Sequence, residues 1–398
     1  MSRNPIRRQV AVVGVGTTPY TRSGGTKSRP HLAAEACIAA VRDAGLRPAD
    51  INGLVGNTLQ ASPQNVQEGL GIPALTWWAG ALLPFSLSFT EAANAVFSGA
   101  CNTAIAYQGQ RRTSSTSRTA GAGDALHGLP DTGKQVDHHL HEQYFIPYGN
   151  RHTTYAGFMR RYMHEHGAQR EDFGRIAINS RTNAMRNEHA TLREPLTMDD
   201  YLAGRMVRDP MCVYDMDYAV DGGDALVLTT AERARDLVEN PVYIEAISFG
   251  QQVHNELDTY ANIETVGQTI AAPSLFAKTD LGVHDIDVAE LYDGFSIITM
   301  KWLESLGFCE AGQGPAFVKD SWDPSENRLK LAGRVPLNTH GGSLSEGATQ
   351  GGGHLREAVV QLQHRAGDRQ VPGASVAVVT IGGLFFNSTC LLLTREPA

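Results

Sequence analysis

A chain of 398 residues with a formal net charge of -8 is long enough for two domains or one duplicated one. Its 42% apolar and 19% charged residues are those of a soluble globular protein, and the absence of a basic block excludes nucleic acid and anionic membrane surfaces as expected partners. No apolar run approaches the roughly 20 residues of a membrane span.

The first element is a strand, Val10 to Val15, which is too short and lacks a small-residue cleavage site for an export signal. An Ala-rich helix follows over His31 to Val41. It leads into Leu46-Arg47-Pro48-Ala49-Asp50-Ile51-Asn52 and then an apolar run, Gly53 to Gly56. The same order recurs much later. Leu281, Asp285 and Ile286 stand at a constant offset from Leu46, Asp50 and Ile51, again between a helical stretch and an apolar run, Val288 to Leu291. The strand signals Val10–Gly14 and Val242–Ala246 open the two halves alike. Strands alternating with helices of this length imply mixed sheets covered by helices. The two halves are read as residues 1–238 and 239–398.

Between about residues 110 and 202 the alternation degrades. Thr113 to Gly123 is a Ser/Thr/Gly loop, Tyr144 to Gly149 an aromatic stretch, and Tyr155 to His166 an amphipathic helix. An insertion of this size is usually functional, here as a lid over a site or part of a subunit interface.

The five cysteines (Cys37, Cys101, Cys212, Cys309, Cys390) are scattered without CxxC spacing, which suggests a reducing cytoplasm and no disulfide or structural zinc. The clusters His138-His139-His141 and His164-His166 lack the i, i+4 spacing and acid of a zinc helix, and are read as solvated or locally bonded.

The most telling residues are Tyr292-Asp293-Gly294-Phe295, between the strand Ile286–Leu291 and a helix from Ser296 to Leu306. Two readings of each neighbour stand side by side. Asp293 either caps that helix or works with Tyr292. His340 in its Gly-rich loop either bonds backbone or acts chemically. Glu346 is a solvated loop carboxylate or a ligand contact, and His354 sits in or caps the helix near Leu355.

"ELYDGF" at Glu290–Phe295, Ser98-Gly99, "DGGDALVLTTAERARDL" at Asp221–Leu237, "NTHGGSLSEG" at Asn338–Gly347 and "VPGASVAVVTIGG" at Val371–Gly383 occur in one order with Val10–Pro19. Together they resemble the thiolase superfamily, in its lipid-transfer-protein-like branch, over nearly the whole chain. The resemblance implies a duplicated α/β fold, five-layered αβαβα with two mixed sheets and an inserted loop region. Thiolases use a nucleophilic cysteine, a second cysteine, a His and an Asn or His. Here the nucleophile's place falls near Leu82 with no cysteine, the His falls on Ala348, the second cysteine on Thr380, and the Asn/His on Tyr292. All four are replaced, so a thioester-forming mechanism is not expected. Ser86 or Ser88 would be substitute nucleophiles lacking a base at Ala348.

The altered set resembles the thiolase-fold aldolases of steroid side-chain degradation. They cleave a β-hydroxyacyl-CoA into a ketone and a shorter acyl-CoA without a metal or covalent intermediate. Many of them carry a second tyrosine where Ala348 stands. The resemblance implies catalytic roles for Tyr292, Asp293 and His340, and acyl-CoA contacts by Ser345, Glu346, His354 and Ser86. It also implies a homodimer core and a partner subunit with a zinc-ribbon/OB-type (DUF35) domain, which would carry any zinc. No cofactor is expected beyond coenzyme A thioester as substrate. Two alternatives remain: an acyltransferase or condensing enzyme of the same fold, and a non-catalytic subunit of a larger complex.

Overall fold

A computed structural model describes residues 4–22, 26–57, 60–81, 84–112, 151–251, 264–384 and 388–397. The loop at Thr113–Gly123, the His138–His141 cluster, the aromatic stretch Tyr144–Gly149 and the position near Leu82 lie outside the described residues. Among the described residues nine strands form the main sheet: β1 (Val10–Thr17), β2 (Gly53–Asn57), β3 (Trp77–Ala81), β4 (Thr103–Arg111), β5 (Asp221–Thr230), β6 (Val242–Gly250), β7 (Val288–Glu290), β8 (Val376–Ile381) and β9 (Ser388–Thr394). Their spatial order is β3-β2-β4-β5-β1-β6-β9-β8-β7.

That order is two copies of one pattern. β2-β4-β5-β1 is parallel, antiparallel, antiparallel, and β7-β8-β9-β6 repeats it. The two mixed sheets expected from the sequence are the halves of this one. They meet where β1 pairs with β6 at Ala11↔Tyr243 and Val12↔Val242. β3 runs parallel outside β2, and in the second half Leu337 bridges Ala289 in the same sense.

The repeated Asp-Ile-Asx segment explains itself in hydrogen bonds. Asp50 and Asp285 each end a 3₁₀ turn and accept from the amide three residues back, Arg47 N at 2.9 Å and Gly282 N at 2.7 Å. Ile51 and Ile286 are buried. Asn52 Oδ1 then accepts from the amides of Asn102 and Thr103 at the start of β4. Asp287 Oδ2 accepts from Ser375 and Val376 at the start of β8. In both halves the Asx side chain fixes where the next parallel strand begins.

Apolar side chains leave both faces of the sheet. The helix Arg29–Asp43 lays Ala33, Ala36, Cys37 and Ala40 against Ala11, Val13, Ile105 and Val227. The opposite face packs against Phe85, Phe89 and Ala92 of the helix Phe85–Phe97 and continues through the second half. The helix predicted over Tyr155–His166 is found at Arg151–His166, followed by a second at Arg170–Ala184. Among the described residues no helix is long and apolar enough to cross a membrane.

Candidate functional site

Strand β7 ends at Glu290, and the chain turns through Leu291-Tyr292-Asp293-Gly294 into the helix Ser296–Ser305. The turn is held from three sides. Leu291 N donates to Asn338 Oδ1 at 2.7 Å and Tyr292 N to Thr380 Oγ1 at 2.9 Å, while Asp217 N donates to Gly294 O at 3.0 Å. Thr380, at the place the thiolase resemblance gives to a cysteine, thus anchors the backbone of Tyr292. The Tyr292 ring folds over Gly294: a Cβ there would lie 2.7 Å from ring carbon Cε1 and 3.1 Å from the hydroxyl. Any larger residue at 294 would displace the phenol. Tyr292 remains 8% exposed, in contrast to the fully buried Asp293 behind it.

Asp293 does not cap the helix that follows it. The N-cap position of that helix is Phe295, which makes no side-chain cap bond. The carboxylate instead accepts from Ser343 N at 2.6 Å and Leu344 N at 3.3 Å, closing the first turn of the short helix Gly342–Ser345. Ser180 Oγ donates to it at 3.4 Å, and His354 Nε2 lies 3.0 Å from its Oδ1. Gly342 makes the approach possible, since its φ is +61° and a Cβ would collide with the carboxylate at 1.9 Å.

His354 lies inside the helix Gly352–Leu362, its ring centroid 5.7 Å from that of Tyr292 and 4.8 Å from that of His340 in an edge-on contact. His340 is therefore one ring removed from the phenol. It is fully buried, with Nδ1 2.7 Å from Glu290 Oε2 and Nε2 3.8 Å from Glu346 Oε2, neither aligned as a hydrogen bond. Burial pulls the imidazole down, but Glu290 and then Glu346 outweigh it and lift its pKa to about 9. The two carboxylates thus favour the imidazolium form of His340.

The solvated reading of Glu346 is overturned, because the residue is buried. Its Oε1 accepts from Asn187 Nδ2 at 2.8 Å and from Arg356 Nη2. Burial raises its pKa, yet Arg356 and then His340 bring it down to about 2. Arg356 Nη1 reaches Asp224 Oδ1 at 2.7 Å, Tyr20 Oη at 2.9 Å and Thr17 Oγ1 at 3.2 Å. One buried network of alternating charge thus runs from β5 through Asp224, Arg356, Glu346, His340 and Glu290 to β7.

The structure brings Tyr292, Asp293, His354, His340 and Glu346 into this contiguous set. Two other sequence candidates face elsewhere. Ser345 Oγ accepts from Arg181 Nε at 3.1 Å, and Ser86, at the first turn of its helix, donates to Thr389 Oγ1 at 2.9 Å. Ala348 is buried, its amide donating to Tyr218 O at 2.9 Å. Sequence reading missed Arg112, Asp217 and Glu290. Arg112 donates to Asp217 at 2.7 and 3.1 Å. Nothing in the order of residues pairs the end of β4 with the segment before β5.

Burial disfavours the thiolate form of all five cysteines. It pushes Cys101 and Cys212 up to about 11 and Cys309 to about 12, and Cys37 and Cys390 higher still. This is the opposite of the electropositive, partly exposed setting that activates a nucleophilic thiol.

Comparison with known proteins adds to this geometry. Residues 250–395 match the family described as thiolase C-terminal domain-like. The chain is 34% identical to a steroid side-chain-cleaving aldolase from Thermomonospora curvata, over 97% of this chain and 98% of that one. It is 32% identical to a 17-hydroxy-3-oxo-4-pregnene-20-carboxyl-CoA lyase from Mycobacterium tuberculosis, over 94% and 96% of the two chains. Among solved structures it superposes on the Ltp2-ChsH2(DUF35) aldolase with a TM-score of 0.85, at 30% identity and covering 98% of each chain.

Proposed function

The chain belongs to the thiolase superfamily, in the branch that contains the steroid side-chain-cleaving aldolases, and we propose that it is a carbon–carbon lyase. Its substrate under this reading is a β-hydroxyacyl-CoA with a bulky, steroid-like side chain, cleaved by retro-aldol chemistry. The observation that carries the reading is the Tyr292 corner. A phenol, 8% exposed, stands where the thiolase resemblance places an oxyanion donor, and burial disfavours the thiolate of every cysteine.

In this mechanism Tyr292 takes the proton of the β-hydroxyl. The C–C bond breaks to a ketone and the thioester enolate, and one proton returns to the enolate carbon, so no oxidant or net acid is needed. Asp293 and His354 hold the loop and the face behind the phenol. His340, one ring further back, supports His354 rather than meeting substrate. Ser345, Glu346 and Ser86 act through the loop and helix they pin. Coenzyme A enters as part of the substrate, and the chain supplies no cofactor.

We further propose a DUF35-type partner, like that of the solved Ltp2-ChsH2(DUF35) aldolase, with any zinc residing there. A homodimer core is supported by β3, which has one neighbour in the sheet and carries a Trp78 that is 55% exposed. A cytoplasmic setting is supported by the free cysteines. The test is Tyr292→Phe on the chain co-purified with the product of a neighbouring DUF35 reading frame. Retro-aldol cleavage should fall at least about 10²-fold with assembly intact. Wild-type cleavage by the variant, or a stable acyl adduct on the wild-type chain by intact mass, would remove the proposal.

A further inference from the structure

A tyrosine that accepts a proton needs its phenolate brought within reach of neutral pH, and the groups around Tyr292 divide on this point. From the helix Gly352–Leu362 comes His354, whose ring stands 5.7 Å away and whose Nε2 is turned to Asp293. Asp293, next in the chain, spends both oxygens on Ser343, Leu344, Ser180 and His354. Thr380 of β8 offers a neutral hydroxyl to the Tyr292 amide. Among the described residues, two further charged groups stand at this corner: Arg112 at the end of β4 and Asp217 in the segment before β5.

Arg112 follows directly on β4, with its side chain 16% exposed, and grips Asp217 through Nη1 at 2.7 Å and Nη2 at 3.1 Å. Asp217 is fixed in turn to the catalytic corner. Its amide donates to Gly294 O at 3.0 Å, and Met216 bridges Phe295. Gly294 is the residue over which the Tyr292 hydroxyl lies. The ion pair is thereby tied to the corner that carries the phenol, and the charges of Arg112 and Tyr292 act on each other.

We infer that Arg112, positioned by Asp217, favours the phenolate form of Tyr292 and so helps to set the pH range in which the lyase works. This rests on the assignment of Tyr292 given above. Arg112 is here a positioning and field-supplying residue that acts through Tyr292, and Asp217 both aims it and partly offsets its charge. A permanent cation suits the task, because a guanidinium cannot lose its proton at any pH the enzyme meets. An opposite charge beside an acid lowers its pKa by about 1 to 3 units. Loss of Arg112 should therefore move the phenol the other way.

The experiment is an ultraviolet phenolate titration of the full chain in its complex. Subtracting Tyr292→Phe from each background isolates one phenol, whether or not that phenol is catalytic. Arg112→Gln is expected to raise the midpoint of Tyr292 by about 1 to 2 pH units and Arg112→Lys to restore most of it. The limb of the kcat/KM profile that reports the base should shift by the same amount. Asp217→Asn, which removes the offsetting charge, should lower the midpoint. An unchanged midpoint in Arg112→Gln would overturn the inference. If that variant does not fold, an unchanged or raised midpoint in Asp217→Asn would do so. Failure of the Tyr292 assignment shows separately, as wild-type cleavage by Tyr292→Phe.

Discussion

Buried His340 makes a prediction that needs no substrate. Lifted from the ordinary value of about 6.5 to about 9, the imidazole binds its proton more tightly in the folded chain by roughly 3 kcal/mol. A folded pKa above the unfolded one stabilises fully below the unfolded value. The contribution fades as pH rises, and it is gone once pH passes about 9. His340→Gln removes the titrating group while keeping a polar side chain of similar reach. With an unfolding entropy of about 2.1 cal/mol/K per residue, 398 residues convert 3 kcal/mol into about 4 °C of melting temperature. Scanning fluorimetry of wild type and variant between about pH 6 and about pH 10 should show the wild-type advantage shrinking by about that much. A constant difference across the range would refute a protonated His340. Glu346, held down at about 2, acts in the opposite sense and is lost only in strong acid, so it leaves this window undisturbed.

Two further outcomes follow from the site's bonds. Asp293→Ala strands the buried amides of Ser343 and Leu344 and should cost about 2 to 5 kcal/mol in chemical unfolding, whereas Asp293→Asn, which keeps an acceptor, should cost less than half of that. Gly294→Ala inserts a methyl where the Tyr292 ring lies. It should lower cleavage by at least about tenfold while leaving the melting temperature within a few degrees, and equal activity would show that the phenol's placement is not critical.

Much of the architecture was legible because local chemistry repeats. The Asp50/Asp285 caps and the Asn52/Asp287 strand starters are short-range devices, so a constant offset in the sequence was enough to expose the duplication. Tyr292 was legible for a related reason: a strand-to-helix corner fixes its direction. The errors have the opposite character. Glu346 sits among glycines and reads as a surface loop until Arg356, ten residues on, and Asp224, in another strand, are brought to it. Asp293 has the spacing of a cap for its own helix, yet it caps Gly342–Ser345, about fifty residues later. Arg112 and Asp217 are 105 residues apart with the insertion between them. Such pairings depend on tertiary docking, and propensity or periodicity carries no trace of it.

The network from Asp224 to Glu290 has a consequence for how the molecule comes into being. Its links join residues far apart in the chain: Tyr20 with Asp224, Thr17 and Asp224 with Arg356, Asn187 with Glu346. Each is a buried charge or polar group that is a liability until its partner arrives. Arg356 finds Asp224, and Glu346 finds Asn187, only across the two halves, so the interior of the site closes only when both halves are in place. A fragment ending before β7 would be expected to keep the Tyr20–Asp224 bond but to leave Asp224 without the charge of Arg356.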